Sequence, residues 1–214
     1  MLRPFRVVQP SSVEEAAAEL RRLGEQARVY AGGAELVLLM RHGLVDADVL
    51  VDIKHIPSIG EIRWDGDAVR IGGAATHYQI ERDAVVRAHL PLLATAAATI
   101  GNIRVRNQST LGGNLCFADP HGDPATPLLV HDATVTLSRG GRERQLPLSE
   151  FLLATYETAI EPDEVLVEVD APPLPTDLGH AYLRIERYHR PTVNVAVAAG
   201  RSDGQVASAS RLAA

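Results

Sequence analysis

Apolar residues recur at regular spacing along much of the chain and predict a succession of short helices and strands. From Val13 onward they lie three or four residues apart, which predicts a helix over about 12–23. Ser12 and Glu15 form a capping-box pattern at its start, and Gly24 follows its end. The same criteria predict helices at about 34–42, 77–88, 90–100 and 124–131, and strands at about 27–31 and 50–53.

Turn sequences between short apolar runs predict hairpins as well. Residues 61–64 and 68–71 flank Asp65-Gly66-Asp67, and the strand at 134–137 precedes a glycine turn at 139–142. Strands joined both by hairpins and by helices favour an α+β fold over a doubly wound sheet. The remaining predictions are an irregular stretch at 101–124, a proline-rich linker at 171–175, strand, loop and strand over 181–200, a turn at 202–204 and a strand beginning at 205–212.

Composition narrows the class of protein. The 214 residues are 46% hydrophobic and 22% charged, which is typical of a globular chain of one or two domains. A net charge of −6 and 4% aromatic residues argue against nucleic-acid binding. Cys116 is the only cysteine, so the chain has no disulfide and no cysteine set for a zinc or iron–sulfur centre. Neither a membrane span nor a secretory signal is predicted, and we expect a cytoplasmic protein.

Two glycine pairs are the best candidates for a ligand site. Gly32 and Gly33 lie in residues 30–36, the first glycine segment; Gly112 and Gly113 lie in residues 109–114, the second glycine segment. Glycine permits positive φ, and successive N–H groups in such turns form a nest for phosphate oxygens. Two nests could hold the two phosphates of a dinucleotide. Each pair alone is better explained as an ordinary turn, and neither matches a Rossmann or Walker A motif.

Other polar residues allow more than one interpretation. Asp119, His121 and Asp123 stand at alternate positions and could ligate a metal. Asp123, directly before Pro124, is better explained as a helix cap. A contact of Asp123 with a ribose or with a phosphate-bound water is a third interpretation. Arg104 and Arg106 alternate along a segment predicted to be extended, so both would face one side and, most simply, the solvent. We expect the Cys116 thiol to be buried and inert.

The two glycine segments, with the sequences around them, carry a specific resemblance. Residues 29–36 (Val-Tyr-Ala-Gly-Gly-Ala-Glu-Leu) and the stretch 100–120 around Ser-Thr-Leu-Gly-Gly-Asn resemble the two pyrophosphate loops of the FAD-binding subunit of molybdenum hydroxylases. That family includes xanthine dehydrogenase and aerobic carbon-monoxide dehydrogenase. Residues 10–16 and 71–76 are similar to it as well, and the resemblance runs from about residue 3 to the end of the chain. Ala34, Ser109 and Gly122 depart from the residues usual there.

The resemblance implies a fold and a set of cofactor contacts. The fold would be an α+β, PCMH-type (vanillyl-alcohol-oxidase-like) FAD-binding fold with subdomains at 1–57 and 58–175, and 176–214 would begin a C-terminal domain that is longer in the family. FAD would lie between the two subdomains. No catalytic or metal-ligating residue is implied, and Arg184 stands where the family has a lysine. The implied FAD contacts are Val29, Tyr30, Ala31, Gly32, Gly33, Ala34, Glu35, Leu36, Ile100, Thr110, Leu111, Gly112, Gly113, Asn114, Asp123, Leu166 and Arg184.

The resemblance also implies an electron-transfer function within a complex. A large subunit would carry the molybdenum cofactor and hydroxylate the organic substrate, and a small subunit would carry two [2Fe–2S] clusters. Electrons would pass through FAD in this chain to NAD⁺, a quinone, dioxygen or another acceptor, with residues 186–193 controlling access. Two alternatives remain open: a non-catalytic assembly or binding subunit that has lost stable FAD, and a metal hydrolase using Asp119, His121 and Asp123.

Overall fold

The computed structural model describes residues 2–188, 190–202, 205–206 and 211–213. The helices are α1 (Val13–Leu23), α2 (Leu36–Arg41), α3 (His77–Arg82), α4 (Ala84–His89), α5 (Pro91–Thr99), α6 (Ile103–Gln108), α7 (Leu111–Phe117), α8 (Ala125–Val130) and α9 (Leu148–Phe151). The strands are β1 (Arg6–Val8), β2 (Ala27–Tyr30), β3 (Val49–Asp52), β4 (Ile62–Trp64), β5 (Val69–Gly72), β6 (Thr134–Arg139), β7 (Arg142–Pro147), β8 (Leu152–Ala154), β9 (Glu157–Thr158), β10 (Val165–Ala171), β11 (Gly179–Tyr188), β12 (Arg190–Ala199), β13 (Arg201–Ser202), β14 (Gln205–Val206) and β15 (Arg211–Ala213).

A small parallel sheet forms the N-terminal part of the fold. Its strand order is β1-β3-β2, and the all-apolar start of β3 is buried between its neighbours. Helix α1 follows β1 and begins as predicted, because the Ser12 hydroxyl accepts from the Glu15 amide while the Glu15 carboxylate accepts from the Ser11 amide. Since parallel strands end at the same edge, the segments that follow β2 and β3 lie side by side there.

A five-stranded antiparallel sheet forms the central part, in the order β4-β5-β10-β6-β7. Both predicted hairpins are present, β4 with β5 and β6 with β7. Helices α3, α4, α5, α7 and α8 contribute to the same core as this sheet, which is centred on fully buried side chains such as Ile71, Leu93, Leu115, Leu137 and Phe151. A parallel sheet beside an antiparallel sheet with segregated helices confirms the predicted α+β class.

Two stretches differ from the sequence prediction. The helix expected at 77–88 is divided by Asp83, whose backbone is extended and whose carboxylate caps α4. The stretch expected to be irregular, 101–124, contains α6 and α7. Arg104 and Arg106 therefore lie on a helix, and the prediction of an extended segment was wrong. Asn102 caps α6 through its side chain, and Arg106 pairs with Glu81 at 2.9 Å rather than facing solvent.

The C-terminal part is a hairpin of β11 and β12, with β15 paired to the far side of β12. Strand, loop and strand were expected over 181–200, but most of residues 186–193 belongs to the two strands. Ala196 and Ala198 pack against Leu92 and Val130 of the central part. The predicted turn at 202–204 and strand at 205–212 fall partly outside the described residues, which include β14 and β15 there.

Among the described residues, no helix is long and apolar enough to cross a membrane.

Candidate functional site

The first glycine segment connects the end of β2 to α2 and contains backbone that only glycine tolerates well. Gly33 has a φ of 69°, in the left-handed region, and the ring of Tyr30 lies where a side chain on Gly33 would begin. Gly32 lies directly against the second glycine segment, because a Cβ on Gly32 would lie 2.8 Å from the Cα of Ser109 and closer still to the carbonyl oxygen of Gln108. The two segments that the sequence singled out are therefore in contact.

Three consecutive amides of the first glycine segment have no acceptor among the described residues. Within the part of the chain that the structure describes, the N–H groups of Gly32, Gly33 and Ala34 donate to no protein acceptor. Uncommitted backbone donors on consecutive residues, one of them left-handed, are the arrangement expected of an anion nest. An amide nest for phosphate at this segment stays a prediction, and these three donors are the groups that it requires.

The second glycine segment differs from the expected nest. Its glycines lie in the first turn of α7, which Thr110 caps by accepting from the Gly113 amide at 3.2 Å. The amides of Leu111 and Gly112 donate to the carbonyl oxygens of Ala75 and Gly73, at 2.9 and 2.8 Å. Backbone bonds to residues 73–75 thus replace the free donors that the sequence led us to expect.

Close packing explains why glycine stands at position 112. A Cβ there would lie 2.7 Å from the Gly73 carbonyl oxygen, and a Cβ on Gly73 would in turn collide with the carbonyl of Leu166 on β10. Leu166 is buried and takes part in the central core. The predicted site residue Leu166 therefore supports the second glycine segment from beneath, through Gly73.

A cleft of about 440 Å³ runs between the two glycine segments. It contains the predicted site residues Tyr30, Ala31, Gly32 and Thr110. The other residues of its wall were not predicted from the sequence; they are Lys54, Gly60, Ala74, Thr76, Gln79, Asn107 and Gln108. One signal pointed to Lys54: it follows the buried strand β3, whose carboxyl end lies beside that of β2, and ligands bind at such edges.

Asp123 and Arg184 form a second group of predicted site residues. The Arg184 Nε lies 3.1 Å from a carboxylate oxygen of Asp123, and the Tyr182 hydroxyl donates to the same carboxylate at 2.6 Å. Arg184 also donates to the carbonyl of Thr99, next to the predicted contact Ile100. Burial raises the pKa of Asp123, while the Tyr182 hydrogen bond and the Arg184 charge act in the opposite direction. This buried cluster joins β11 to the central part.

Asp123 does not cap a helix, so the interpretation preferred from the sequence was wrong. Helix α8 begins at Ala125, and the preceding Pro124 occupies the cap position without a side-chain hydrogen bond. The Asp123 carboxylate is turned to Tyr182 and Arg184 instead, because a buried charge requires a charged or hydrogen-bonding partner.

The residues suggested for a metal site do not form one. His121 Nδ1 lies 2.9 Å from an Asp119 oxygen, while the Asp123 carboxylate is held by its own partners. No cluster of three His, Cys, Asp or Glu residues suited to a metal ion occurs in the described residues. The Cys116 thiol is partly buried, and burial raises its pKa to about 12, so it stays protonated at neutral pH, as expected of an inert cysteine.

Comparisons with known proteins identify the family. The family model described as "FAD binding domain in molybdopterin dehydrogenase" matches residues 3–174. The carbon monoxide dehydrogenase medium chain of Hydrogenophaga pseudoflava is 37% identical over 86% of this chain and 64% of its own length. The 6-hydroxypseudooxynicotine dehydrogenase complex subunit alpha of Paenarthrobacter nicotinovorans is 35% identical over 86% of this chain and 62% of its own length. This chain thus spans less than two thirds of both relatives.

Solved structures agree with the sequence relatives. A chain of the Hydrogenophaga pseudoflava carbon monoxide dehydrogenase that lacks the Mo-pyranopterin moiety matches 99% of this chain and 74% of its own length, with a TM-score of 0.94 and 34% identity. A chain of quinoline 2-oxidoreductase from Pseudomonas putida 86 matches with a TM-score of 0.92 and 27% identity, again over 99% of this chain and 74% of its own. The chain belongs to the family of FAD-binding domains of molybdopterin dehydrogenases.

Proposed function

We propose that this chain is the FAD-binding electron-transfer subunit of a molybdenum-containing hydroxylase. Bound FAD supplies the redox chemistry, since a flavin can accept electrons singly or in pairs. The chain's own residues bind the cofactor, orient it and limit its access to water. The single observation that carries the proposal is the contact between the two glycine segments at Gly32, with a cleft and uncommitted amides beside it.

The residues of the cleft fit the diphosphate of FAD. The free amides of Gly32, Gly33 and Ala34 would donate to phosphate oxygens. Val29, Tyr30 and Ala31 would flank these donors on the side of β2, and Glu35 and Leu36 on the side of α2. Thr110 is buried at the cleft, and its hydroxyl oxygen accepts from the Gly113 amide. The hydroxyl O–H is then left to donate a hydrogen bond to a phosphate oxygen. Leu111, Gly112, Gly113 and Asn114 would keep Thr110 in place rather than donate their amides.

The remaining predicted contacts have supporting positions in this proposal. Three of these residues, Ile100, Asp123 and Leu166, are buried, and the Arg184 side chain on β11 is largely buried. Asp123 and Arg184 would hold the hairpin of β11 and β12 over the central part. Residues 186–188 end β11 and residues 190–193 begin β12. We propose that the segment 186–193 controls access of the acceptor to the flavin.

Two partner subunits complete the proposal. Relatives of this chain are named as subunits of dehydrogenase and hydroxylase complexes. We propose a large subunit with the molybdenum cofactor and a small subunit with [2Fe–2S] clusters, which would deliver electrons to FAD here. NAD⁺, a quinone or dioxygen would then be the acceptor. The lone cysteine of this chain agrees with clusters carried elsewhere.

The visible spectrum of the purified chain tests the function. Flavin absorbance at one FAD per chain, released as free FAD on denaturation, is the expected result. A colourless chain that cannot be reconstituted with FAD would contradict it and would favour the non-catalytic assembly subunit. Shortening the segment 186–193 tests the access hypothesis separately, because unchanged flavin reoxidation would contradict it.

A further inference from the structure

Lys54 is the one charged residue that lines the cleft in the described part of the chain. It stands two residues after the end of β3, so it lies at the edge of the parallel sheet where β2 continues into the first glycine segment. It is also the only lysine of the sequence, among twenty arginines. The position of this single ammonium group is therefore a feature of the cleft and not of a general basic surface.

Two neighbours hold the ammonium of Lys54 beside the first glycine segment. It lies 3.9 Å from the centre of the Tyr30 ring, a cation–π contact, and the same ring lies against Gly33. It also lies 3.3 Å from a carboxylate oxygen of Asp52, whose side chain is almost fully buried. Asp52 is orientated independently, since it accepts from the Lys54 amide and from Gln9.

This arrangement leaves donors for a ligand. An ammonium carries three N–H groups, and Asp52 is its one carboxylate partner among the described residues. The Lys54 side chain keeps 37% of its surface exposed, and it lines the cleft. A chain of net charge −6 repels an anionic cofactor at long range, so a cation inside the cleft offsets that repulsion where the phosphates would lie.

We propose that Lys54 binds the diphosphate of FAD and supplies the positive charge that the backbone amides of the first glycine segment lack. The inference rests on the proposed function, since it needs FAD in this cleft. It assigns to Lys54 the discrimination between FAD and flavins without phosphate. Tyr30 acts as a positioning residue that keeps the ammonium at the glycine segment.

Binding titrations on the full chain test the charge of Lys54. Lys54→Met removes the charge and keeps the chain length, whereas Lys54→Arg keeps the charge. Arg87→Met is the matched control, because Arg87 is exposed on α4 and does not line the cleft. We expect Lys54→Met to weaken FAD binding about tenfold or more and to leave riboflavin binding unchanged. Added salt should lower the FAD affinity of Lys54→Met less than that of the wild type. Lys54→Arg should lose less FAD affinity than Lys54→Met, and Arg87→Met should bind FAD as the wild type does.

Selective labelling gives a second readout that does not depend on a variant. An amine-reactive reagent can modify one lysine per chain, so the mass of the peptide containing Lys54 reports its accessibility. We expect FAD and ADP to protect Lys54 and riboflavin to leave it reactive. Protection by riboflavin as strong as that by FAD would contradict a phosphate contact.

The outcomes separate the two proposals. A wild-type chain that binds no FAD overturns the proposed function itself. A wild-type chain that binds FAD, with Lys54→Met equal to it in affinity and in salt dependence, overturns the inference on Lys54 and leaves the function standing. Thermal unfolding of Lys54→Met without flavin is the control for its fold. An unfolding midpoint equal to that of the wild type shows that the fold is intact.

Discussion

At the scale of single residues, Gly32 decides whether the two glycine segments can meet. Its Cα faces the backbone of Gln108 and Ser109 so closely that no side chain fits between them. The residue type thus follows from the contact between segments and not from a turn, since Gly32 is absent from the glycines with positive φ. Gly33 is the residue of the pair that the turn requires.

Gly32→Ala is predicted to separate the two segments. The added methyl must displace the backbone at 108–109, and overpacking of this kind costs about 1–3 kcal/mol of stability. We expect a lower unfolding midpoint and at least about tenfold weaker FAD binding by titration. Gly179→Ala is the control. Gly179 lies on β11, and a Cβ there would make only an ordinary contact, at 3.7 Å. Equal FAD affinity in Gly32→Ala would show that the cleft does not depend on this approach.

His77 is a second residue whose environment has a measurable consequence. It is fully buried in α3, and neither ring nitrogen has a hydrogen-bond partner in the described part of the chain. Burial lowers its pKa from 6.5 to about 4, because the charged ring would lose its hydration. The folded protein therefore keeps His77 neutral at a pH where the unfolded chain binds a proton.

This difference predicts an acid-dependent loss of stability. Above about pH 6.5 the His77 ring is neutral in the folded and in the unfolded state, so His77 does not make stability depend on pH. As the pH falls from 6.5 to 4, only the unfolded state gains the proton. The free energy of unfolding therefore falls by up to about 3 kcal/mol. Urea unfolding at several pH values measures the slope. His77→Met should flatten the slope in this range, whereas His42→Gln, at an exposed position, should not. An unchanged slope in His77→Met would contradict the assignment.

At the scale of elements, the sequence predicted helix α1 and the strands of the two hairpins β4–β5 and β6–β7. Helix α1 has an amphipathic pattern and a Ser12 cap, and both hairpins have recognisable turns, so local signals sufficed. Helices α6 and α7 were missed because six or seven residues are too few to show a period. Their caps, Asn102 and Thr110, were visible in the sequence and could have indicated them.

The hairpin of β11 and β12 is held to the central part by a small polar cluster. Tyr182 on β11 donates to the buried Asp123, which also pairs with Arg184 on the same strand. This cluster was not predictable, because position 123 and positions 182 and 184 are far apart in the sequence. The local signal at Pro124 pointed instead to a helix cap.

Tyr182→Phe is predicted to loosen this attachment. It leaves one side of the Asp123 carboxylate without its hydroxyl donor, and the loss of a hydrogen bond to a buried charged group costs about 1.5–3 kcal/mol. Chemical denaturation should show that loss, and hydrogen exchange should increase selectively in β11 and β12. Tyr156→Phe, at an exposed tyrosine, is the matched control and should change neither. Wild-type stability in Tyr182→Phe would show that the cluster does not hold the hairpin.

At the scale of the whole molecule, the contact between the two glycine segments was the least accessible to sequence reasoning. More than seventy positions separate Gly32 from Ser109, and their approach depends on the backbone bonds that join residues 73–77 to the second segment. The resemblance to a known family suggested that the segments cooperate. It did not indicate that only the first segment keeps free amides, or that Lys54 lies between them.

FAD is predicted to stabilise the folded chain. A ligand that binds only the folded state adds about 2.7 kcal/mol at a free concentration of one hundred times its dissociation constant. Thermal unfolding should therefore shift upward with FAD and, to a smaller extent, with ADP. Riboflavin at the same concentration should produce a lesser shift than FAD, and identical shifts for FAD and riboflavin would contradict a diphosphate site.

A crystal structure of the chain with FAD would show directly where the diphosphate binds. We expect the diphosphate in the cleft between the two glycine segments. Its oxygens should lie within hydrogen-bonding distance of the Gly32, Gly33 and Ala34 amides, with Thr110 on the opposite wall. A diphosphate bound elsewhere, with those three amides still without an acceptor, would contradict this expectation.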